Sequence, residues 1–339
     1  MSDNALLEIT DLQVTYWGRS LLGMGGKAFH AVKGASLAIR TGETLGLVGE
    51  SGSGKSSIAN TVLGLVPASG GSIRFGSHEL TAMKARYPAE VRSRIQAVFQ
   101  DPYSSLNPSM TVEDIVTEPL RVHTQMSRAE RRAKAIELLK LVSLSEEHLE
   151  RHPHQFSGGQ RQRIAIASAL ALEPKLIVLD EPVSALDVST QNQIINLLYE
   201  RRDALGIAYL LIAHDLALVH HISDRIAVMY LGHIVEEGPA DRVYKAPAHP
   251  YTRALVEAVP LIDPDAQRAR RAARRSTAPP EVARVAASGC PYRNRCSKVM
   301  AVCAQAMPPA YLIDGGGTAN CFLYAGPDVA TVEQGEQIA

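Results

Sequence analysis

The 339-residue chain has no net charge, few aromatic residues and no cysteine before position 290. Its 35 basic and 35 acidic side chains cancel, so it lacks the basic field of most proteins that bind nucleic acid. It has no run of the 18 or more apolar residues that a membrane-spanning helix needs. The first ten residues lack the basic flank and apolar core of a secretory signal. We therefore expect a cytoplasmic protein without a nucleic-acid partner, whose membrane functions depend on other chains.

Short apolar strands and helical segments alternate over the first 260 residues. Runs at 44–48, 175–179 and 207–213 are typical of buried strands, and residues 112–172 follow a helical pattern. Strands that alternate with helices indicate a parallel sheet covered by helices. The sequence therefore predicts an α/β fold with a helical subdomain inserted at about 109–172.

A glycine-rich motif follows the strand at 44–48 and precedes a helix-compatible run, which is the context of a phosphate-binding loop. Backbone N–H groups of such a loop close around phosphate oxygens at the positive end of the next helix. Lys55 adds a positive charge near the terminal phosphates, and Ser56 offers its hydroxyl to Mg²⁺. Alone, the motif predicts a P-loop nucleotide-binding protein. The candidate residues are Gly49, Glu50, Ser51, Gly52, Ser53, Gly54, Lys55, Ser56 and the adjoining Ser57.

Two adjacent carboxylates, Asp180 and Glu181, follow the strand at 175–179. Because ligands of open parallel sheets bind at the carboxyl ends of the strands, both acids should face the phosphates. Asp180 is placed to hold Mg²⁺ directly or through water, and Glu181 to polarise an attacking water. The alternative is a pair of acids that caps a helix.

A run at the start of a later helix resembles the signature sequence of ABC (ATP-binding cassette) ATPases, with Phe in the place usually held by Leu. Other positions resemble the remaining motifs of that family, in the family's order, between residues 7 and about 238. Tyr16 is similar to the aromatic residue that stacks on adenine, although Trp17 is an alternative stacking face. The matching residues are Phe156, Ser157, Gly158, Gly159 and Gln160 in the signature, Gln100 in the Q-loop, Ser184, Ala185, Leu186 and Asp187 in the D-loop, and the switch residue His214.

The resemblance implies a RecA-like core with an antiparallel β subdomain and a helical signature subdomain. It also implies hydrolysis of ATP with Mg²⁺. Two such domains would dimerise head to tail, with each ATP held between one P-loop and the signature of the partner. The implied catalytic residues are Glu181, His214 and Gln100, and the implied Mg²⁺ residues are Ser56, Gln100 and Asp180.

Three longer runs, at 100–108, 181–189 and 249–255, are similar to the oligopeptide/dipeptide importer branch of that family, and most to the second of its two ATPase subunits. This implies a subunit that energises peptide import from the cytoplasmic face of the cell (inner) membrane. The implied partners are a sister ATPase subunit in a heterodimer, two transmembrane permease subunits and an extracytoplasmic solute-binding protein. Dipeptides, oligopeptides, glutathione, opines and nickel complexes remain open as cargo.

Two competing functions are disfavoured by the sequence. A non-transport ABC ATPase of DNA repair or translation would carry a long coiled-coil insertion or a second cassette, and neither occurs in these 339 residues. A P-loop kinase would have no use for the signature run at 157–160. We retain the non-transport ABC ATPase as the alternative.

All four cysteines lie within the last fifty residues of the chain. In a reducing compartment, such clustering favours a metal centre over disulfides. Four thiolates suit a [4Fe–4S] cluster or zinc, but the spacings lack the C-x₂-C pairs of a zinc ribbon. The segment resembles the C-terminal extension of the importer branch, which implies an iron–sulfur cluster, and free thiols are the other possibility. The four candidates are Cys290, Cys296, Cys303 and Cys321.

The composition changes after Pro260, where alanine, arginine and proline become frequent. We interpret the arginine run at 268–275 as a solvated linker face, with contact to anionic headgroups or a permease loop as the alternative. The predicted division is a nucleotide-binding domain at 1–260, a linker at 261–288, a four-cysteine domain at 289–325 and a tail at 326–339.

Overall fold

The computed structural model describes residues 5–18, 28–83, 87–100, 105–259, 263, 265, 268 and 288–326. Most of the predicted linker, with all of its arginine run except Arg268, and nearly all of the predicted tail lie outside these residues. The strands are β1 Ala5–Trp17, β2 Ala28–Arg40, β3 Thr44–Val48, β4 Gly70–Phe75, β5 His78–Glu79, β6 Ile95–Val98, β7 Leu176–Asp180, β8 Ala208–Ala213, β9 Arg225–Tyr230, β10 His233–Pro239, β11 Tyr311–Leu312 and β12 Thr318–Ala319.

The helices vary in length from one turn to five. In the part of the chain that the structure describes, none is long and apolar enough to cross a lipid bilayer. The helices are α1 Lys55–Val62, α2 Ala89–Arg94, α3 Val112–His123, α4 Arg128–Leu141, α5 Gly158–Leu170, α6 Val188–Leu205, α7 Leu216–Ile222, α8 Ala240–Lys245, α9 Pro250–Ala258 and α10 Val302–Gln305.

The described part of the chain forms two sheets. The smaller one is antiparallel, with strand order β2-β1-β4-β5, and buries alternate apolar side chains of β1 such as Leu7 and Ile9. The larger one has the order β11-β12-β10-β9-β3-β8-β7-β6. Its strands from β9 to β6 run parallel, and every residue of β3 and β8 is buried, as expected of strands covered on both faces. The predicted α/β class and the antiparallel subdomain are confirmed.

The helical subdomain consists of α3, α4 and α5, inside the predicted limits of about 109–172. Thr111 caps α3, and a capping box formed by Ser127 and Glu130 begins α4, so the first amides of both helices have partners. Leu138 and Leu139 of α4 are buried in the same hydrophobic cluster as Ile164 of α5. The signature run therefore starts a helix that is packed firmly against its neighbours.

The cysteine-bearing segment is joined to the core. Its strand β12 pairs antiparallel with β10, with Ala319 opposite Glu236. The buried residues Cys290, Tyr292 and Cys303 belong to the main hydrophobic cluster of the chain. This segment therefore extends the large sheet and shares the core's apolar interior.

Replacing Leu47, in the centre of β3, should test how strongly the central strand supports the fold. Leu47 is fully buried, so Leu47→Ala should lower the free energy of unfolding by about 2–5 kcal/mol. Exposed Leu65 gives the matched control, because Leu65→Ala should change it by about 0.5 kcal/mol or less. Urea denaturation followed by circular dichroism measures both. Equal effects at the two positions would contradict the described core.

Candidate functional site

The phosphate-binding loop connects the buried end of β3 to helix α1. Gly54 is the residue before the helix and has φ 112°, a conformation that favours glycine. A Cβ atom there would lie 2.4 Å from the carbonyl oxygen of Ala31. The loop can therefore close on the N-terminus of α1 only with glycine at this position.

Lys55 lies inside this loop. Its Nζ donates to the carbonyl oxygens of Gly49 at 2.8 Å and Glu50 at 3.0 Å, and lies 3.4 Å from Ser53 Oγ. Burial lowers the pKa of Lys55, and the negative charges of Glu181, Asp180 and Glu50 oppose that shift. An ammonium group in this position is ready to exchange carbonyl oxygens for the more negative oxygens of a phosphate.

Asp180 ends β7 and faces the first turn of α1. Ser56 Oγ donates to its Oδ1 at 3.4 Å. Burial raises the pKa of Asp180, and its charge repulsion with Glu181 adds to the shift, whereas Ser56 and Lys55 oppose it. A hydroxyl and a carboxylate on neighbouring elements form the oxygen set that Mg²⁺ prefers beside phosphates.

Two of the predicted site residues lie close to the Glu181 carboxylate. Its Oε2 accepts a hydrogen bond from Gln100 Nε2 at 2.9 Å and lies 3.4 Å from His214 Nδ1. Its φ is 48°, which costs a non-glycine residue energy and is common at functional sites. Its N–H donates to the carbonyl oxygen of Ile212 on β8 at 2.9 Å, and this bond fixes the unusual backbone beside the adjacent strand.

Ser157 is the N-cap of α5. Its Oγ accepts from the N–H of Gln160, whose side chain accepts from the N–H of Ser157. The Ser157 hydroxyl hydrogen and the first free amides of α5 remain available to an anion at this helix end. Phe156, in the unusual first position, is buried and its ring lies 5.4 Å from that of His148.

Within the chain, the signature residues lie against the D-loop and the helix that follows it, and a Cβ atom on Gly158 would lie 3.3 Å from Leu186 Cδ2. A Cβ atom on Gly159 would lie 2.3 Å from Thr190 Cγ2, so α5 and α6 approach more closely than an alanine would allow. Asp187 caps α6 through the N–H of Thr190 at 3.0 Å and its hydroxyl at 2.7 Å. That hydrogen bonding lowers the pKa of Asp187. No sequence motif identifies Thr190, which contacts Asp187 of the D-loop and Gly159 of the signature.

The remaining D-loop residues form a turn directly after Glu181. Ser184 donates to the carbonyl oxygen of Glu181 from its hydroxyl at 3.2 Å, and Leu186 donates its N–H to Val183. Gln191 supports the turn from α6 through the carbonyl oxygens of Val183 and Leu186, both at 3.0 Å. The D-loop is thus attached to the carboxylate site at one end and to the signature at the other.

Tyr16 and Trp17 end β1 near helix α1. The Tyr16 hydroxyl donates to Ser57 Oγ at 3.2 Å. Tyr16 is 37% exposed, whereas Trp17 is 74% exposed. Phe29, which pairs with Tyr16 across β1 and β2, is also exposed. Of the two candidates, Tyr16 is therefore the one that contacts the first turn of α1 beside the phosphate-binding loop. Phe29 is a neighbour that the sequence pattern did not single out.

The four cysteines line one cavity, together with apolar neighbours such as Met300 and Phe322. All four are free thiols, and Cys290 donates its N–H to the Cys303 carbonyl oxygen at 2.8 Å. Burial raises the pKa of Cys321 to about 11 and also raises the pKa of Cys290. Among the described residues, no three His, Cys, Asp or Glu side chains are placed to hold a metal ion.

Two family models match the chain. Residues 32–184 match the model described as "ABC transporter". Residues 235–303 match the model described as "Oligopeptide/dipeptide transporter, C-terminal region". The first covers both the phosphate-binding loop and the acidic pair, and the second reaches three of the four cysteines.

Several known proteins are similar over most of their length. The "Oligopeptide transport ATP-binding protein OppF" of Salmonella typhimurium strain LT2 is 48% identical over 307 residues, which are 89% of this chain and 92% of the relative. The "Putative oligopeptide transport ATP-binding protein YkfD" of Bacillus subtilis strain 168 is 44% identical over 94% of this chain and 95% of the relative. A solved structure, described as "Dimeric structure of a post-hydrolysis state of the ATP-binding cassette MJ0796 bound to ADP and Pi", has a TM-score of 0.61 and 31% identity. The similarity covers 69% of this chain and 98% of the chain in that structure.

The contact between Gly159 and Thr190 can be tested with a compensating pair of substitutions. Gly159→Ala should lower the free energy of unfolding by about 1–3 kcal/mol, because the added methyl group overpacks the junction of α5 and α6. Thr190→Ser removes Cγ2 but keeps the hydroxyl that Asp187 accepts from. The double variant should therefore recover most of the loss, measured by urea denaturation. An additive double variant would show that the two residues are not in contact.

Proposed function

The chain belongs to the family of ABC transporter ATP-binding proteins, and from that premise we propose that it is the ATP-hydrolysing subunit of a peptide importer. The observation that carries this function is the grouping of Lys55, Asp180 and Glu181 around one phosphate-binding loop. The match of residues 235–303 to the peptide-transporter C-terminal region and the names of the relatives support peptides as the cargo class.

ATP binds with its phosphates in the loop formed by residues 49–54. Lys55 Nζ, which donates to the carbonyl oxygens of Gly49 and Glu50, turns to the terminal phosphates. Ser56 and Asp180 would hold Mg²⁺, which would neutralise charge on the phosphate oxygens. Tyr16, attached to Ser57 at the start of α1, supplies the face on which adenine stacks.

Hydrolysis depends on a water activated by Glu181. Its carboxylate is oriented by Gln100 at 2.9 Å and lies 3.4 Å from His214. We assign the general base to Glu181, the contact to the terminal phosphate to His214, and nucleotide sensing to Gln100.

The signature residues complete the site of a second ATPase subunit. Ser157 uses its oxygen to cap α5 in its own chain, so its hydroxyl hydrogen is free to donate to a phosphate across a dimer interface. The D-loop, through Asp187 and Thr190, transmits the position of one site to the other. The dimer described for MJ0796 supports this arrangement. Here we assign the partner to a sister ATPase subunit in a heterodimer.

The assembly proposed for this subunit includes two transmembrane permeases and an extracytoplasmic solute-binding protein. The chain would work at the cytoplasmic face of the inner membrane, attached through the permeases. Its proposed domains are the cassette at 1–260, the linker at 261–288, the cysteine-bearing domain at 289–325 and the tail at 326–339.

The four cysteines fit a structural [4Fe–4S] cluster, and we include it in the proposal. Four free thiols around one cavity form the donor set of such a cluster. A zinc ion, with Zn–S bonds of about 2.3 Å, needs four sulfurs within about 4 Å of each other. The cysteine spacings lack the C-x₂-C pairs of a zinc ribbon, and the cluster is therefore proposed from the donor chemistry and from the match to the peptide-transporter C-terminal region. The cluster would stabilise the segment without a part in hydrolysis.

Glu181→Gln should retain ATP binding and lower hydrolysis by at least about 100-fold, because a neutral amide is no longer a general base. The ATP-bound dimer should then persist. Phosphate release and size-exclusion chromatography with the sister subunit measure the two effects. Exposed Glu150 provides the control, and Glu150→Gln should hydrolyse normally. A Glu181→Gln variant with wild-type activity would overturn the assignment of the base.

Protein purified without oxygen should contain about four iron and four acid-labile sulfide per chain. Cys321→Ser should lose most of this content, because it removes one of four ligands. Elemental analysis together with visible absorption measures both proteins. Stoichiometric zinc, or reactive thiols without iron, would contradict the cluster.

Deletion of this chain should abolish uptake of labelled peptides by cells. The wild-type chain, but not Glu181→Gln, should restore it. The purified chain should also retain a permease when it is isolated from membranes. Association with ribosomes or DNA and with no permease would favour the non-transport alternative.

A further inference from the structure

We propose that Arg295 and Tyr251 are positioning residues for ATP binding, which hold the phosphate-binding loop in place through Glu50. The proposal rests on the proposed function, because the loop is positioned for a nucleotide. It connects the cysteine-bearing segment directly to the nucleotide site.

Arg295 reaches the phosphate-binding loop from 245 positions further along the chain. Its Nη1 lies 3.0 Å from both carboxylate oxygens of Glu50. The side chains are 32% and 43% exposed, so the pair is partly screened by solvent. Hydrogen bonding to Glu50 nevertheless raises the pKa of the Arg295 guanidinium. The contact therefore ties the side chain of the loop's second residue to the C-terminal segment.

Tyr251 holds the backbone of the same residue. Its hydroxyl oxygen accepts the N–H of Glu50 at 2.9 Å, and its ring is almost completely buried. The carbonyl oxygen of Glu50 accepts from Lys55 Nζ at 3.0 Å. Glu50 is thus fixed at its side chain, its N–H and its carbonyl. Because the N–H is occupied by Tyr251, the amides available to a phosphate are those further along the loop.

An aromatic cluster joins the two contacts. Tyr251, Tyr230 and Tyr292 lie with ring centroids 4.6–5.4 Å apart. The Arg295 guanidinium lies 5.7 Å from the Tyr292 ring and 5.9 Å from the Tyr230 ring, within the range of a cation–π contact. The guanidinium therefore has a fixed apolar platform, unlike a free surface arginine.

The cysteines determine where this platform lies. Cys290 and Cys296 bracket the short segment that carries Tyr292 and Arg295. Cys290 is buried, and its N–H donates a hydrogen bond to the carbonyl oxygen of Cys303. Arg295 directly precedes Cys296 and contacts Glu50. We therefore expect a displacement of the thiols to alter the contact between Arg295 and the phosphate-binding loop.

The effect should appear in nucleotide affinity. Arg295→Met removes the partly exposed ion pair with Glu50 and should weaken ATP binding by about two- to fivefold. Tyr251→Phe leaves the Glu50 N–H without its acceptor and should weaken binding by about three- to tenfold. The maximal hydrolysis rate should change by less than twofold, because neither residue touches Asp180 or Glu181.

The test is titration of the full-length chain with a fluorescent ATP analogue and Mg²⁺, for the wild type, Arg295→Met, Arg295→Lys and Tyr251→Phe. Arg295→Lys should recover part of the affinity, since it restores the charge. Arg253→Ala, which removes another exposed arginine near the C-terminal segment, should bind like the wild type. Thermal melting of each variant identifies any that do not fold.

A double-mutant cycle separates positioning from a general structural role. Glu50→Gln should itself weaken binding, and Arg295→Met should have no further effect in that background, because Arg295 acts through Glu50. Equal effects of Arg295→Met with and without Glu50→Gln would overturn the proposal. Unchanged affinity in folded Arg295→Met and Tyr251→Phe would also overturn it. A wild-type chain that binds no nucleotide would instead refute the proposed function.

Discussion

The structure depends on the register of three parallel strands. Val48 of β3 pairs with Ala213 of β8, and Asp180 of β7 pairs with Ile212 of β8. The phosphate-binding loop, the acidic pair and His214 therefore begin at the same edge of the sheet. A slip of one residue in either pairing would turn a whole strand over. Because every residue of β3 and β8 is buried, such a slip would move each side chain into a space packed for another, and so the core packing determines the geometry of the site.

Charge compensation at this edge explains why a phosphate group is the expected ligand. Burial opposes the ionisation of both Lys55 and Asp180, as their pKa shifts show. Each charged group reduces the cost of burying the other. A bound triphosphate with its metal ion adds negative and positive charges to the same place, and gives both buried groups stronger partners. Tyr251 and Arg295, which contact Glu50, act on the shape of the loop rather than on this charge balance.

Much of this arrangement could be predicted from the sequence, because it is encoded locally. The runs around Thr44–Val48 and Asp180 carry strand pattern and chemistry together, and the helical subdomain has its own capping box. The contacts of Glu50 with Arg295, and of Gly159 with Thr190, join segments that share no local pattern. The pairing of β12 with β10 was hidden for the same reason, since β12 has only two residues. The phosphate contact proposed for Ser157 would involve a second subunit, so the contacts within one chain do not show it.

The central claim is that Lys55 and its loop hold the phosphates of ATP. Equilibrium binding of Mg·ATP to the wild type and to Lys55→Ala tests it most directly, with exposed Lys245→Ala as the control. The wild type and the control should bind alike, and Lys55→Ala should bind at least about tenfold more weakly, as expected for a lost charge-assisted hydrogen bond. Equal binding by all three folded proteins would contradict the account.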